Sequence, residues 1–421
     1  MFLQKFSILS AMKDVIKTGI LGFGKQGSHY ARRFLEGNLC PELRFSAIAE
    51  TDREKRDWAK DHLPPDVKIF DSERSMLDSV SIDACIIATP HILHPEHAIS
   101  CFGKGIHVMC EKPAGIHILQ VEEMNREADR HPDLVFGIML NQRTNCVYRK
   151  LRQVILDGEY GKIRRIHWTV NNWYRGQLYF DSFDWRGIWN GSFGGTIMDQ
   201  CTHQLDLWQW LFGMPDRVTC RMGFGRHHDI EVEDEVSAIF EYDDGVMGTF
   251  EASTSIPNGK NMLEVNLDGA NITTDGSSLN VEVFEQQEQE WRLRQHELFK
   301  KPGLRFKGEL ETDGENLQHK GVLDAWADAI LGRGSLIADG REGIHAVMIA
   351  DAMYLSAFTV KTVEMPVDGA LYYRELMEKA AGSKPKGPVK DRLAAVRESF
   401  AVMNPKVLNA YFGTGKSVDR L

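Results

Sequence analysis

The sequence predicts an α/β chain: a doubly wound parallel sheet first, then an α+β domain on a largely antiparallel open sheet. Three observations carry this. Short apolar runs alternate with helical segments between residues 16 and 140. A glycine-rich turn, Gly22-Phe23-Gly24-Lys25-Gln26-Gly27, joins the first run to the first helical segment. Beyond residue 140, single apolar residues alternate with polar ones and helices no longer separate the runs. At 421 residues the chain is too long for one ordinary domain, so two packed units are expected. The expected division is 14–141, 142–383 and a tail, 384–421, that carries a candidate docking helix.

Strands are expected at 18–21, 45–49, 67–70, 84–88, 107–110 and 135–140. Each is apolar on both faces, as in a parallel sheet covered by helices on both sides. The first helix is expected at 28–36, with Ala31, Phe34 and Leu35 on its buried face. A helix at 147–156 leads into a strand at 163–170, where Ile166, Trp168 and Val170 alternate with polar residues. Val236, Ala238, Phe240 and Tyr242 form a second alternating run. Asp244-Gly245 then turns the chain back into a strand at 246–252. Helices return at 319–331 and 343–361, and another helical stretch holds Leu393, Val396 and Phe400.

The formal net charge is −10, with Lys and Arg scattered along the chain. A nucleic-acid groove needs a concentrated basic face, so no nucleic-acid partner is expected. The seven cysteines are odd in number, form no CxxC and several lie in apolar runs. They read as buried thiols of a reducing compartment. Residues 1–12 lack a signal-peptide pattern, and no apolar run approaches membrane-spanning length. A cytoplasmic location and no membrane partner are the expectations.

The glycine turn opens a helix directly after a strand, where backbone N–H groups can approach a pyrophosphate. Glu50 ends the second strand, placed to accept hydrogen bonds from a ribose diol and to repel a 2′-phosphate. NAD is therefore expected over NADP, although Arg53 stands close enough in sequence to accommodate a phosphate. Two further stretches follow. Ala88-Thr89-Pro90, with His94 and His97, leads to Glu111-Lys112-Pro113 at the tip of the fifth strand. The segment from Gly194 to Asp206 carries Asp199 and His203.

Together these motifs closely resemble the Gfo/Idh/MocA oxidoreductases, over nearly everything from Ile16 to about Ser383. The resemblance implies a Rossmann domain plus an open sheet often used for oligomerisation, hence a homo-oligomer, dimer or tetramer, through the C-terminal sheet. It implies that Lys112, Asp199 and His203 form the catalytic group. It also implies cofactor contacts from Gly22, Phe23, Gly24, Lys25, Gln26, Gly27, Glu50, Thr89, Pro90, His94, Glu111 and Lys112. The chemistry agrees: removing hydride from a secondary alcohol needs a base for its proton and a cation for the developing alkoxide. Histidine suits the first task and lysine the second, and the two could exchange roles. Asp199 and His203, four apart on an expected helix, should share one face.

Each motif has a plainer reading. Asp199 and His203 could merely solvate a helix. His91, His94 and His97 recur every three residues, as metal ligands can, but Pro95 should start a helix and leave His91 out of its register. No metal is expected. His227 and His228 precede an acidic run and read as a solvated loop, although in relatives this region can face the substrate, so His228 is kept. Trp173, Tyr174, Arg175, Trp185 and Arg186, with Trp189 near them, could be core. Aromatics with arginine also suit sugar rings, which stack their C–H faces on indole.

That last stretch, continued by Asp206-Leu207-Trp208-Gln209-Trp210, resembles the branch that oxidises glycosides or free sugars, commonly at C3. Asp199 stands where some members of that branch have asparagine. The expected activity is NAD-linked oxidation of a sugar or glycoside. Two alternatives remain: a glycoside hydrolase that oxidises C3 transiently and eliminates the aglycone, and a non-catalytic NAD-sensing regulator. Intact Lys112, Asp199 and His203 argue against the regulator.

Overall fold

The structure, a computed structural model, describes residues 15–384 and Lys386. The expected helical stretch around 393–400 lies outside these. The first layer alternates β1 (Ile16–Leu21), α1 (Lys25–Leu35), β2 (Leu43–Ala49), α2 (Arg53–His62), β3 (Lys68–Phe70), α3 (Glu73–Ser79) and β4 (Ala84–Ile87). It continues through α4 (His94–Phe102), β5 (His107–Cys110), α5 (Ile118–Arg130) and β6 (Phe136–Ile138). Its strands pair in parallel in the order β3-β2-β1-β4-β5-β6. All four residues of β4 are buried, as a central strand covered on both faces requires. The strand order reverses between β1 and β4. The loops leaving those two strands therefore border one crevice, the place where such sheets bind ligands.

The second layer begins with α6 (Cys146–Asp157), β7 (Ile163–Val170), α7 (Gln177–Asp181), α8 (Trp189–Ser192) and α9 (Thr202–Phe212). Next come β8 (Arg217–Phe224), β9 (Glu233–Glu241), β10 (Met247–Ser253), β11 (Asn261–Leu267), β12 (Ala270–Thr274) and β13 (Leu279–Phe284). The rest is α10 (Glu288–Arg294), β14 (Leu304–Glu309), α11 (Gln318–Ile330), α12 (Gly343–Thr359), β15 (Val363–Glu364) and α13 (Gly369–Ala381). Nine strands run in the order β14-β13-β12-β11-β7-β10-β9-β8-β15, and only β7–β10 pair in parallel. Asp244-Gly245 forms the turn into β10: Gly245 has φ +91° and the Tyr242 N–H donates to Val246 O at 3.0 Å. One face of the sheet buries Trp168, Phe240 and Phe250 against Trp208 of α9. His167 and Thr169 of β7 alternate with the buried Ile166, Trp168 and Val170 and face the other way.

The boundary near 141 divides the chain but not the space. Helix α11, far along the second segment, packs Val322, Leu323, Trp326 and Ala327 into the core of the first domain beside Ile20, Tyr30 and Met109. A second tie is ionic. Arg143 donates to both Asp206 oxygens, at 3.0 and 2.7 Å, and to Glu342 at 2.7 Å, joining the interdomain turn to α9 and to the start of α12. Among the described residues no helix is long and apolar enough to cross a membrane.

Candidate active site

The glycine turn is built by close approach. Gly22 has φ +86°, and a Cβ there would lie 2.7 Å from Ala88 O; one on Gly27 would lie 1.9 Å from Gly22 O. Both positions exclude a side chain for the fold's own sake. Gly24 differs: a Cβ would meet no protein atom within 4 Å, so this glycine faces open space at the start of α1. Glu50 follows β2 and is tied to the turn, accepting from the Phe23 N–H at 2.7 Å and the Asp52 N–H at 2.9 Å. Thr89 and Pro90 follow β4 across the crevice. Open space at a helix N-terminus, flanked by an anchored carboxylate, fits a dinucleotide's pyrophosphate and ribose.

Lys112 enters from the tip of β5, and its Nζ donates to the Asp199 carbonyl at 3.3 Å. Asp199 does not share a continuous α-helix with His203. Residues Thr196–Gln200 form a π-helical turn closed by the Cys201 N–H on Thr196 O at 3.0 Å, and α9 starts only at Thr202. Asp199 and His203 are therefore not one turn apart on a single α-helix, as expected, but are separated by this wider turn. The charge of Lys112 acts on both side chains. Burial, then Lys112 and His319, hold the His203 imidazole well below its ordinary range, so it is neutral at pH 7. Burial pushes the Asp199 carboxyl up, while Arg186 and Lys112 oppose it.

Two neighbours complete this group. Arg186 Nε is 3.3 Å from Asp199 Oδ2, and its guanidinium lies over the rings of Tyr179, Phe183 and Trp185 at 4.1–4.6 Å. His91 Nδ1 is 3.7 Å from Asp199 Oδ1, with its ring edge-on to Trp185. Burial first, then His94 and Lys112, lower its pKa far below the ordinary value. His91 was absent from the sequence-based candidates. It sits in a short turn before α4, as Pro95 required, at the C-terminal edge of β4. That edge position is the signal the sequence offers for it.

The other candidates divide. His94 is buried, with Nδ1 2.7 Å from Pro113 O and Nε2 2.8 Å from Thr89 O, so it bridges the two loops from beneath instead of opening onto the crevice. Glu111 is likewise buried, accepting from the Tyr30 hydroxyl and from the Lys112 N–H. His228, expected to face the substrate, has Nδ1 2.9 Å from Asp234 Oδ2 and Nε2 2.9 Å from Arg175 O, so both ring nitrogens have protein partners. Arg175 donates to Gln200 at 2.7 Å and lies over Trp173 and Tyr179. With Arg186 it acts on Lys25, whose ammonium is depressed by burial first, so both domains contribute cations to one cleft. Trp173 and Tyr174 stay 37% and 54% exposed, outside the Asp199 group, whereas Trp189 packs against Tyr354 and Phe358 as core. Among the described residues no three metal-ligating side chains gather.

Comparison with known proteins agrees with this layout. Residues 16–137 match the oxidoreductase-family NAD-binding Rossmann fold of GFO/IDH/MocA proteins, and 148–273 match the GFO/IDH/MocA C-terminal domain. The chain is 29% identical over 211 residues to scyllo-inositol 2-dehydrogenase (NADP(+)) IolW of Bacillus subtilis, covering 50% of this chain and 55% of that one. It is 32% identical over 161 residues to 2,7-anhydro-N-acetylneuraminate hydratase of Mediterraneibacter gnavus, covering 38% of this chain and 41% of that one. The matches thus span about half the length of these relatives. Levoglucosan dehydrogenase, solved with NADH and L-sorbose, shares the fold at TM-score 0.70 and 20% identity, over 84% of this chain and all of that one. Both matches occur, in this order, along one chain, and the chain belongs to the GFO/IDH/MocA family of NAD-binding oxidoreductases.

Proposed function

We propose that this protein is an NAD-dependent dehydrogenase that oxidises a secondary ring hydroxyl of a sugar or related polyol, with C3 of a sugar or glycoside as the favoured carbon. One observation carries the reading: His91 Nδ1 and His203 Nδ1 are both buried without a hydrogen-bond partner, beside the ion pair of Arg186 and Asp199. Both belong to the group around Asp199 and Lys112. An unsatisfied buried polar atom costs about 1–3 kcal/mol, so such a cluster argues for a ligand that supplies several donors and acceptors at once. A ring bearing adjacent hydroxyls does so. The names of its relatives, an inositol dehydrogenase and a levoglucosan dehydrogenase, support the same class.

In this reading neutral His203 takes the hydroxyl proton, and Lys112 faces the oxygen as negative charge develops on it. Asp199, Arg186 and His91 orient the neighbouring hydroxyls, and Trp185 offers a ring face beside them. When bound, NAD supplies the hydride acceptor. Glu50 would hold its ribose and disfavour a 2′-phosphate. The sheet face that carries His167 and Thr169 supports a homo-oligomeric contact. A second reading, elimination and hydration through transient oxidation, draws on the hydratase among the relatives.

The test is a panel of free sugars, glycosides and cyclitols incubated with NAD while NADH absorbance and products are followed. A substrate deuterated only at C3 should yield deuterated NADH. Free sugar released without NADH accumulation would favour the second reading. No turnover of any kind across the panel would overturn both.

A further inference from the structure

The π-helical turn that carries Asp199 has no side-chain cap of its own. Its exposed N–H groups are instead met by one buried carboxylate from the neighbouring sheet. Glu233, at the start of β9, accepts from the Gly195 N–H at 3.0 Å through Oε2 and from the Ile197 N–H at 2.8 Å through Oε1. The Tyr354 hydroxyl of α12 donates to the same Oε1 at 2.7 Å. The backbone of Glu233 grips the turn as well: Thr196 Oγ1 donates to Glu233 O at 3.3 Å. A Cβ on Gly195 would stand 2.1 Å from that oxygen, so the two chains touch and only glycine fits.

We infer that Glu233 is a positioning residue: its carboxylate clamps the turn at Gly195 and Ile197 and so fixes where Asp199, and His203 behind it, face Lys112. The inference rests on the site proposed above but concerns a residue that does not touch substrate. Glu233 is fully buried and is the first residue of β9. The turn needs such an external anchor because π-helical geometry is rare and costly without compensation. Glu233 supplies two of the missing acceptors from a rigid strand, and Tyr354 fixes the carboxylate in turn. Gly194-Gly195 in the sequence is thereby explained by contact: the first lies under the Tyr354 hydroxyl and the second against the Glu233 carbonyl.

The experiment compares Glu233→Met, Glu233→Gln and Tyr354→Phe in the full chain. Met keeps the volume and removes both acceptors, Gln keeps one, and Phe leaves Glu233 on both amides. Amide exchange of peptides spanning 193–203 is read by mass spectrometry, alongside NADH binding and turnover of the best sugar in the panel. Losing the acceptors should speed exchange at 195–197 by about tenfold or more. Turnover should fall about 10²-fold, as a displaced catalytic group costs, with KM and NADH affinity within about twofold. Glu233→Gln should recover part of both losses, and Tyr354→Phe most of them. Unchanged exchange at 195–197 in Glu233→Met would overturn the inference, as would losses spread evenly over the whole protein. If wild type turns over no sugar, the functional reading fails, yet the exchange measurement still decides the clamp. If Glu233→Met does not fold, Glu233→Gln against Tyr354→Phe gives the same decision.

Discussion

Replacing Arg143 by methionine should destabilise the protein by about 3–5 kcal/mol at neutral pH, the usual cost of removing one partner from a buried ion pair. The side chains of Arg143 and Asp206 are each only 2% exposed, and their bond is bidentate. Without Arg143, Asp206 retains one hydrogen bond, from the Gln209 amide at 3.0 Å. Burial already pushes the Asp206 carboxyl up, and Arg143 is what holds it down. That carboxyl already lies above its ordinary value, and in the variant it should rise further. Its unfavourable contribution then appears as pH rises through the folded pKa and disappears in acid. Urea melts at pH 7.5 and 5.5 test this, and the loss should be smaller at the lower pH. The double variant Arg143→Met/Asp206→Leu should recover most of the stability, because the stranded charge is gone. A single-variant loss below about 1 kcal/mol, or a double variant no better than the single, would refute the reasoning.

Other expectations concern the site. His203→Ala should lower turnover by about 10²–10⁴-fold while NADH binding stays near normal; near-normal turnover on the true substrate would reduce α9 to a structural helix. Glu50→Ala should narrow the preference for NAD over NADP in fluorescence titrations, and tighter NADP binding to wild type would contradict the role given to that carboxylate. Burial pushes Glu233 up to about 7, against the donors from Ile197, Tyr354 and Gly195. Its contribution to stability is thus complete below its unfolded pKa and lost as pH rises towards 7, a span worth about 3 kcal/mol. Denaturant midpoints from pH 4.5 to 8 should show that decline in wild type and not in Glu233→Gln; parallel curves would dismiss it.

The first sheet was legible because its signals are local. Apolar runs, a glycine turn and an acidic strand end all lie within a few residues of what they determine. The second sheet was legible only in outline. Strands β7, β9 and β10 are marked by their alternation. β8 alternates as well, with Val218, Cys220 and Met222 between Arg217, Thr219 and Arg221, and β11, β12 and β13 bury every second residue, but these shorter or more polar runs are not assigned from sequence. β14 is exposed along nearly its whole length and is a strand because β13 pairs with it. Lys112, Asp199 and His203 were found through motifs, whereas the π-turn between the latter two was not: it depends on Glu233, more than thirty positions away. The partners of His228, Asp234 and the Arg175 carbonyl, were hidden in the sequence for a similar reason: the second lies more than fifty positions away.

The return of α11 to the first domain has a consequence for how the protein is made. The last strand of the parallel sheet ends at Ile138, but the helix that completes its core begins only at Gln318. Domains emerge from the ribosome at about 5–20 residues per second, so this sheet waits roughly 10–35 s for its missing wall. During that interval the surface that Trp326 will cover, including Met109 and Met139, has no partner from its own chain. His319 rides on the same helix and acts electrostatically on His203. Closing the nascent core and finishing the active site are therefore one event in synthesis, and a chain stopped before residue 318 should have neither.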